Sequence, residues 1–141
     1  MLPPHVTTEA TRSTETAAFR ILLIQSESTP RKTLRVALER AGTSVVAVDS
    51  AAVGIVRLKW NHYSLVIFSG RPGRTPLLED FEMLVERGKP VARDDGYELY
   101  APAHGLLAEA VLVLPFTDAA RVTASMEAVR QRVIELAAQK A

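Results

Sequence analysis

Residues 19–48 read FRILLIQSESTPRKTLRVALERAGTSVVAV, and this stretch decides the fold class. Phe19–Ile24 is a short apolar run broken only by Arg20. Such runs mark strands buried on both faces, as in parallel sheets. Helix signals follow at once. Thr29 stands where an N-cap belongs, Pro30 suits the first helical position, and Gly42 suits the residue after the last turn. Between them Leu34, Leu38 and Ala41 form an inner stripe, while Arg31, Lys32, Arg35, Glu39 and Arg40 face water. Ser44–Val48 then reads as a second strand.

The unit repeats along the chain. Asp49 or Ser50 caps a helix over residues 51–61, with Val53, Val56 and Trp60 on its inner face. Leu65–Phe68 is a third strand, followed by the loop Ser69–Arg74 and a helix over 77–87 that carries Leu77, Leu78, Phe81 and Leu84 and stops at Gly88. Residues 89–110 admit two readings: a short strand with a broken helix, or a hairpin with a small helix near 105–110. Pro90–Ala92 has strand character, Asp94-Asp95-Gly96 signals a turn, and Pro102 blocks a continuous helix. Val111–Leu114 is a last strand closed by Pro115. The final helix, 118–139, carries Val122, Met126, Val129, Val133 and Leu136 on one face and Asp118 at its positive end. It either covers the sheet or projects past it to join another chain or a downstream domain, which leaves a homodimer open. Strands alternating with amphipathic helices predict an α/β fold: a flavodoxin-like, doubly wound five-stranded parallel sheet with flanking helices.

Composition sets the outer bounds. The chain has 141 residues, enough for one domain that buries roughly 70% of its unfolded surface. Residues 1–18 are rich in Thr and Ser, nearly lack large apolar side chains, and predict a flexible tail ahead of a domain over 19–141. Seventeen basic and 16 acidic residues give a net charge of +1, which argues against nucleic-acid or membrane partners recruited by bulk charge. With no cysteine and three scattered histidines, disulfides, thiol catalysis and thiolate metal sites are excluded. There is no basic-then-apolar leader pattern and no apolar run of ~20 residues, so the expectation is a cytoplasmic protein.

Four patches resemble the receiver domains of bacterial two-component response regulators. ILLIQSESTPRKTLRVALERAG (21–42) is similar to their first strand and helix, and AVDSAAVGIVRL (47–58) to the second strand and helix start. SLVIFS (64–69) resembles the third strand, and Leu114-Pro115-Phe116 the end of the fifth. The resemblance spans about 19–138; residues 89–110 fall outside its pattern. It implies phosphoryl transfer to an aspartate, assisted by Mg²⁺. That chemistry needs a carboxylate cluster for a hard cation, a carboxylate nucleophile, and a cation to neutralise the phosphoryl oxygens.

This chain departs from the family at the matching positions. The acidic pair falls on Gln25 and Ser26, with Glu27 beside them; the acceptor position is Ser69; the lysine position is Leu114; Ala92-Arg93 stand where a hydroxyl residue is expected. One carboxylate makes a poor Mg²⁺ site, and a serine without an adjacent base is a weak nucleophile. The resemblance therefore implies a pseudo-receiver: no enzyme, no cofactor, no metal, and a protein partner as its readout. Tyr97 and Tyr100 fall near the family's signalling face and, with Arg71 and Arg74 on the 69–74 loop, are candidate partner contacts. The alternative is a small-ligand or nucleotide-binding sensor using the loops 26–29 and 69–74. A Ser69, His104 and Asp94 or Asp95 triad is disfavoured because Ser69 lacks a nucleophile elbow.

Overall fold

The computed structural model describes residues 19–69, 78–86, 91–94, 97–114 and 119–140. The expected tail 1–18, the loop arginines Arg71 and Arg74, the turn at Asp95-Gly96, the stops at Gly88 and Pro115, and Asp118 lie outside the described residues. Strand β1 (Arg20–Ile24) pairs in parallel with β2 (Ser44–Val48) on one side and β3 (Tyr63–Ser69) on the other. β3 pairs in parallel with the last strand, β6 (Ala108–Leu114). Two antiparallel strands complete the sheet: β5 (Tyr97–Tyr100) against β6, and β4 (Ala92–Asp94) against β5.

The order β2-β1-β3-β6-β5-β4 corrects the expectation of five parallel strands. Six strands pair among the described residues, and the last two pairings are antiparallel. The cause is the length of one connection. A parallel neighbour needs a crossover of about a dozen residues or more. The return from β5 to β6 has only residues 101–107, so β5 must run against β6. No helix forms near 105–110; a turn at His104-Gly105, with Gly105 at φ 90°, leads directly into β6. Of the two readings of 89–110, the hairpin is right and its small helix is not.

Helices cover both faces, so the expectation of an α/β fold with flanking helices holds. On one face α1 (Ser28–Arg40) and α4 (Ala119–Lys140) bury Leu34, Leu38, Val122, Met126, Val129 and Val133 against Ile21, Leu23, Leu65, Ile67 and Leu112. On the other, α2 (Ala51–Trp60) and α3 (Leu78–Leu84) bury Ala51, Leu58 and Leu84 against Leu22, Ile24, Val66, Phe68 and Val111. Leu136 still packs on the first layer, so α4 lies along the sheet for most of its length.

Local signals explain most helix ends. Past α1, Gly42 takes φ 95°, its N–H bonds to Glu39 O at 3.1 Å, and the Thr43 N–H reaches Leu38 O at 3.3 Å. This is the paired closure that a left-handed residue after the last turn permits. At the start of α1 the expectation shifts by two residues. Glu27 is the N-cap, without a side-chain cap bond, and Pro30 is the third helical residue, still in the first turn, where a missing N–H costs nothing. Ala41 is the C-cap and is exposed rather than inward. Ser50 caps α2, its hydroxyl accepting from Val53 N at 3.2 Å.

The face of α2 is also a correction. Ala51, Gly54 and Leu58 turn inward, while Val53, Val56 and Trp60 are exposed, Trp60 at 80%. Gly54 decides the rotation. A Cβ placed on it would lie 2.7 Å from Ile24 Cδ1, so the helix sits closer to the sheet than any larger residue would allow.

Candidate functional site

The carboxyl ends of β1 and β3 bring together the positions singled out in the sequence. Gln25 follows β1 and is fully buried; its backbone N–H bonds to Val48 O of β2 at 3.1 Å. Its side chain bridges in two directions. Nε2 donates to Ser69 Oγ at 3.1 Å and approaches Ser69 O at 3.4 Å. Oε1 accepts from the Glu27 backbone N–H at 2.9 Å. Both ends of the amide are therefore engaged, and the donor–acceptor pattern fixes which end is nitrogen.

Ser69 closes β3, is 4% exposed, and pairs in register with Leu114 of β6. Leu114 is half-buried against the α1/α4 layer. The fold thus unites Gln25, Ser69 and Leu114 at one edge, while Ser26 and Glu27 lie exposed beside them where the chain enters α1.

Electrostatics at this edge differ from those of a cation site. Gln25 and Ser69 are neutral, and Leu114 is apolar. The backbone carbonyls of Gln25 and Ser26 are met by a guanidinium: Arg31 Nη1 donates to them at 3.0 and 3.4 Å. Among the described residues, no three His, Asp or Glu side chains come together as a metal cluster would require.

Tyr100 is half-buried and packs on the α2/α3 layer. The Tyr97 side chain, like Arg71 and Arg74, lies outside the described residues. His104 is exposed in the turn before β6, which starts opposite Tyr63 at the amino end of β3. Ser69 is at the other end of that seven-residue strand, about 20 Å away, so the triad does not assemble.

Compared with family models, with curated proteins and with solved structures, the chain matches none of them. Among the described residues, no helix is long and apolar enough to cross a membrane.

Sequence reasoning missed a second feature, at the amino end of the sheet. His62 Nε2 meets Glu109 Oε2 at 2.7 Å beside a cavity of about 260 Å³ that Phe19, Ser64, Arg130 and Val133 also line. Arg130 stacks over the Phe19 ring at 5.4 Å. Only the tertiary fold brings these residues together; no local motif announces them.

Proposed function

We propose that this chain is a cytoplasmic, receiver-like signalling module that works by binding a protein partner and performs no phosphoryl transfer. The flavodoxin-like assignment belongs to the same proposal: β1–β3 follow the 2-1-3 order of that fold, and the antiparallel β5 and β4 are this chain's departure.

One observation carries the reading, the bond from Gln25 Nε2 to Ser69 Oγ. It occupies the place where a receiver would hold its carboxylates. An amide held at both ends is neutral and offers a cation no carboxylate charge. The Ser69 hydroxyl that accepts from that amide is neutral, where an acyl-phosphate site needs an ionised carboxylate oxygen. Arg31 on the Gln25 and Ser26 carbonyls adds a positive charge that opposes a second cation nearby.

The test is incubation of the whole chain with acetyl phosphate and Mg²⁺, followed by intact mass under conditions that preserve acyl-phosphates. The expected spectrum is unchanged. A phosphoryl adduct on Ser69 or Glu27 would overturn the proposal.

A further inference from the structure

We propose that the outer edge of β2 is the docking site, and that its occupant is an acidic, extended segment of a partner protein that adds a strand to the sheet. This deepens the interaction-module reading and rests on it, but not on the receiver resemblance.

Among the described residues, β2 is the terminal strand of the sheet and pairs only with β1. Val48 O accepts from Gln25 N, so Val48 and, by strand alternation, Val46 and Ser44 turn their backbone groups toward β1. The N–H and C=O of Val45 and Ala47 therefore point outward. Exposed sheet edges are usually guarded by a charged residue, a proline or a bulge. β2, Ser44-Val45-Val46-Ala47-Val48, has none of these over five residues in continuous register with β1.

The flanks name the occupant. On one side a groove of about 550 Å³ runs between β2 and α1, lined by Arg31, Lys32 and Arg35. A second, smaller depression of about 250 Å³ is lined by Val53 and Arg57 of α2, by Arg31 again, and by Asp49 as its acid. Among the described residues, none of these four cations is paired with a carboxylate. Side chains of an added strand alternate between the two flanks. Acidic residues at every second position would meet Arg31, Lys32 and Arg35, and apolar residues between them would meet Val53. A second copy of β2 fits worse. A two-fold axis through the edge would set the α1 cations of one copy against those of the other. Nucleic acid would use the cations but not the outward amides.

The experiment uses the ¹⁵N-labelled full chain and a short, end-capped peptide of alternating Glu and Val, followed by amide spectra and hydrogen exchange. Saturable shifts centred on Val45 and Ala47, with slowed exchange at those two amides, are expected. A peptide N-methylated on alternate residues, which keeps the charge but removes strand hydrogen bonds, should lose the effect. Lys32→Glu/Arg35→Glu, both on the surface of α1, should weaken binding by at least about tenfold. Several outcomes would overturn the proposal. These are equal binding of the N-methylated peptide, or of a short RNA, with the Val45 and Ala47 amides unmoved. Two others are protection of those amides that grows with protein concentration alone, which makes the occupant a second copy, or protection that vanishes when residues 1–18 are removed, which makes it the chain's own terminus. An acetyl-phosphate adduct with the peptide result intact would remove the receiver reading and leave this site standing.

Discussion

Gln25 and Ser69, 44 positions apart in sequence, are joined by a buried side-chain hydrogen bond that ties the end of β1 to the end of β3. Gln25→Leu keeps the bulk but takes this bond away, along with the one to the Glu27 N–H. Stability should fall by about 2 kcal/mol, the scale set by stripping partners from buried polar groups. The double variant Gln25→Leu/Ser69→Ala should cost less than the two single changes added together, because each single change already removes the bond that the two side chains share. Urea midpoints of the four proteins test this; strict additivity would show that the two side chains do not share their energy.

Gly54 presents an opposed pair of effects. Alanine in a helix interior is favoured over glycine by about 1 kcal/mol. Here its methyl group would press on Ile24 Cδ1 at 2.7 Å, and Ile24 is itself only 2% exposed and has little room to yield. Overpacking of this kind costs roughly 1–3 kcal/mol, so Gly54→Ala should lower the thermal midpoint. Adding Ile24→Val removes the clashing carbon and should recover part of the loss, which no simple helix-propensity account would give.

Tyr63 is fully buried, its ring under the Arg20 guanidinium at 4.7 Å, and its hydroxyl is without a hydrogen-bond partner among the described residues. Deleting that hydroxyl removes an unsatisfied group and keeps the ring. Tyr63→Phe should match or exceed the wild type in stability, by up to about 1 kcal/mol. Chemical denaturation is the measurement; a loss of similar size would mean that the hydroxyl is bonded.

Trp60 and Leu58 make the sharpest contrast on α2, being 80% and 0% exposed. Trp60→Ala should change stability by no more than about 0.5 kcal/mol, as surface substitutions do. Leu58→Ala should cost about 2–5 kcal/mol, since the cavity it leaves is in the core. Two unfolding curves decide it, and the reverse ranking would restore the inward Trp60 expected from apolar periodicity.

The sequence made some elements readable because their signals are local. Ser44–Val48 has the bounds its apolar run predicts, and Gly42 closes α1 through its own backbone freedom. The inner face of α4 follows its helical spacing from Val122 to Val133. Other features depend on contacts with distant residues. Counting apolar residues turns α2 toward Val53, Val56 and Trp60, but packing chose the face where Gly54 and Ala51 let the helix approach Ile24 and Leu22. The direction of β5 depends on the length of the 101–107 return, which shows only once both strand ends are known. At the carboxyl edge, the neutral residue types were legible, and so was their grouping through the family resemblance. The engagement of Gln25 with both Ser69 and Glu27, and the placement of Arg31 over the carbonyls, were not.

The seam between β3 and β6 also governs how the molecule is made. Tyr63 pairs with Ala108, so the flank of β3 cannot be sealed until the ribosome has passed that residue. Until then the half that emerges first, β1 to β3, presents Leu65, Val66 and Ile67 with one strand edge bare and the α4 cover not yet synthesised. Joining strands so far apart in the chain carries a loop-closure cost that is repaid only when β6 docks. The amino-terminal half is therefore a scaffold in waiting, and completion of the fold belongs to the last strand and helix.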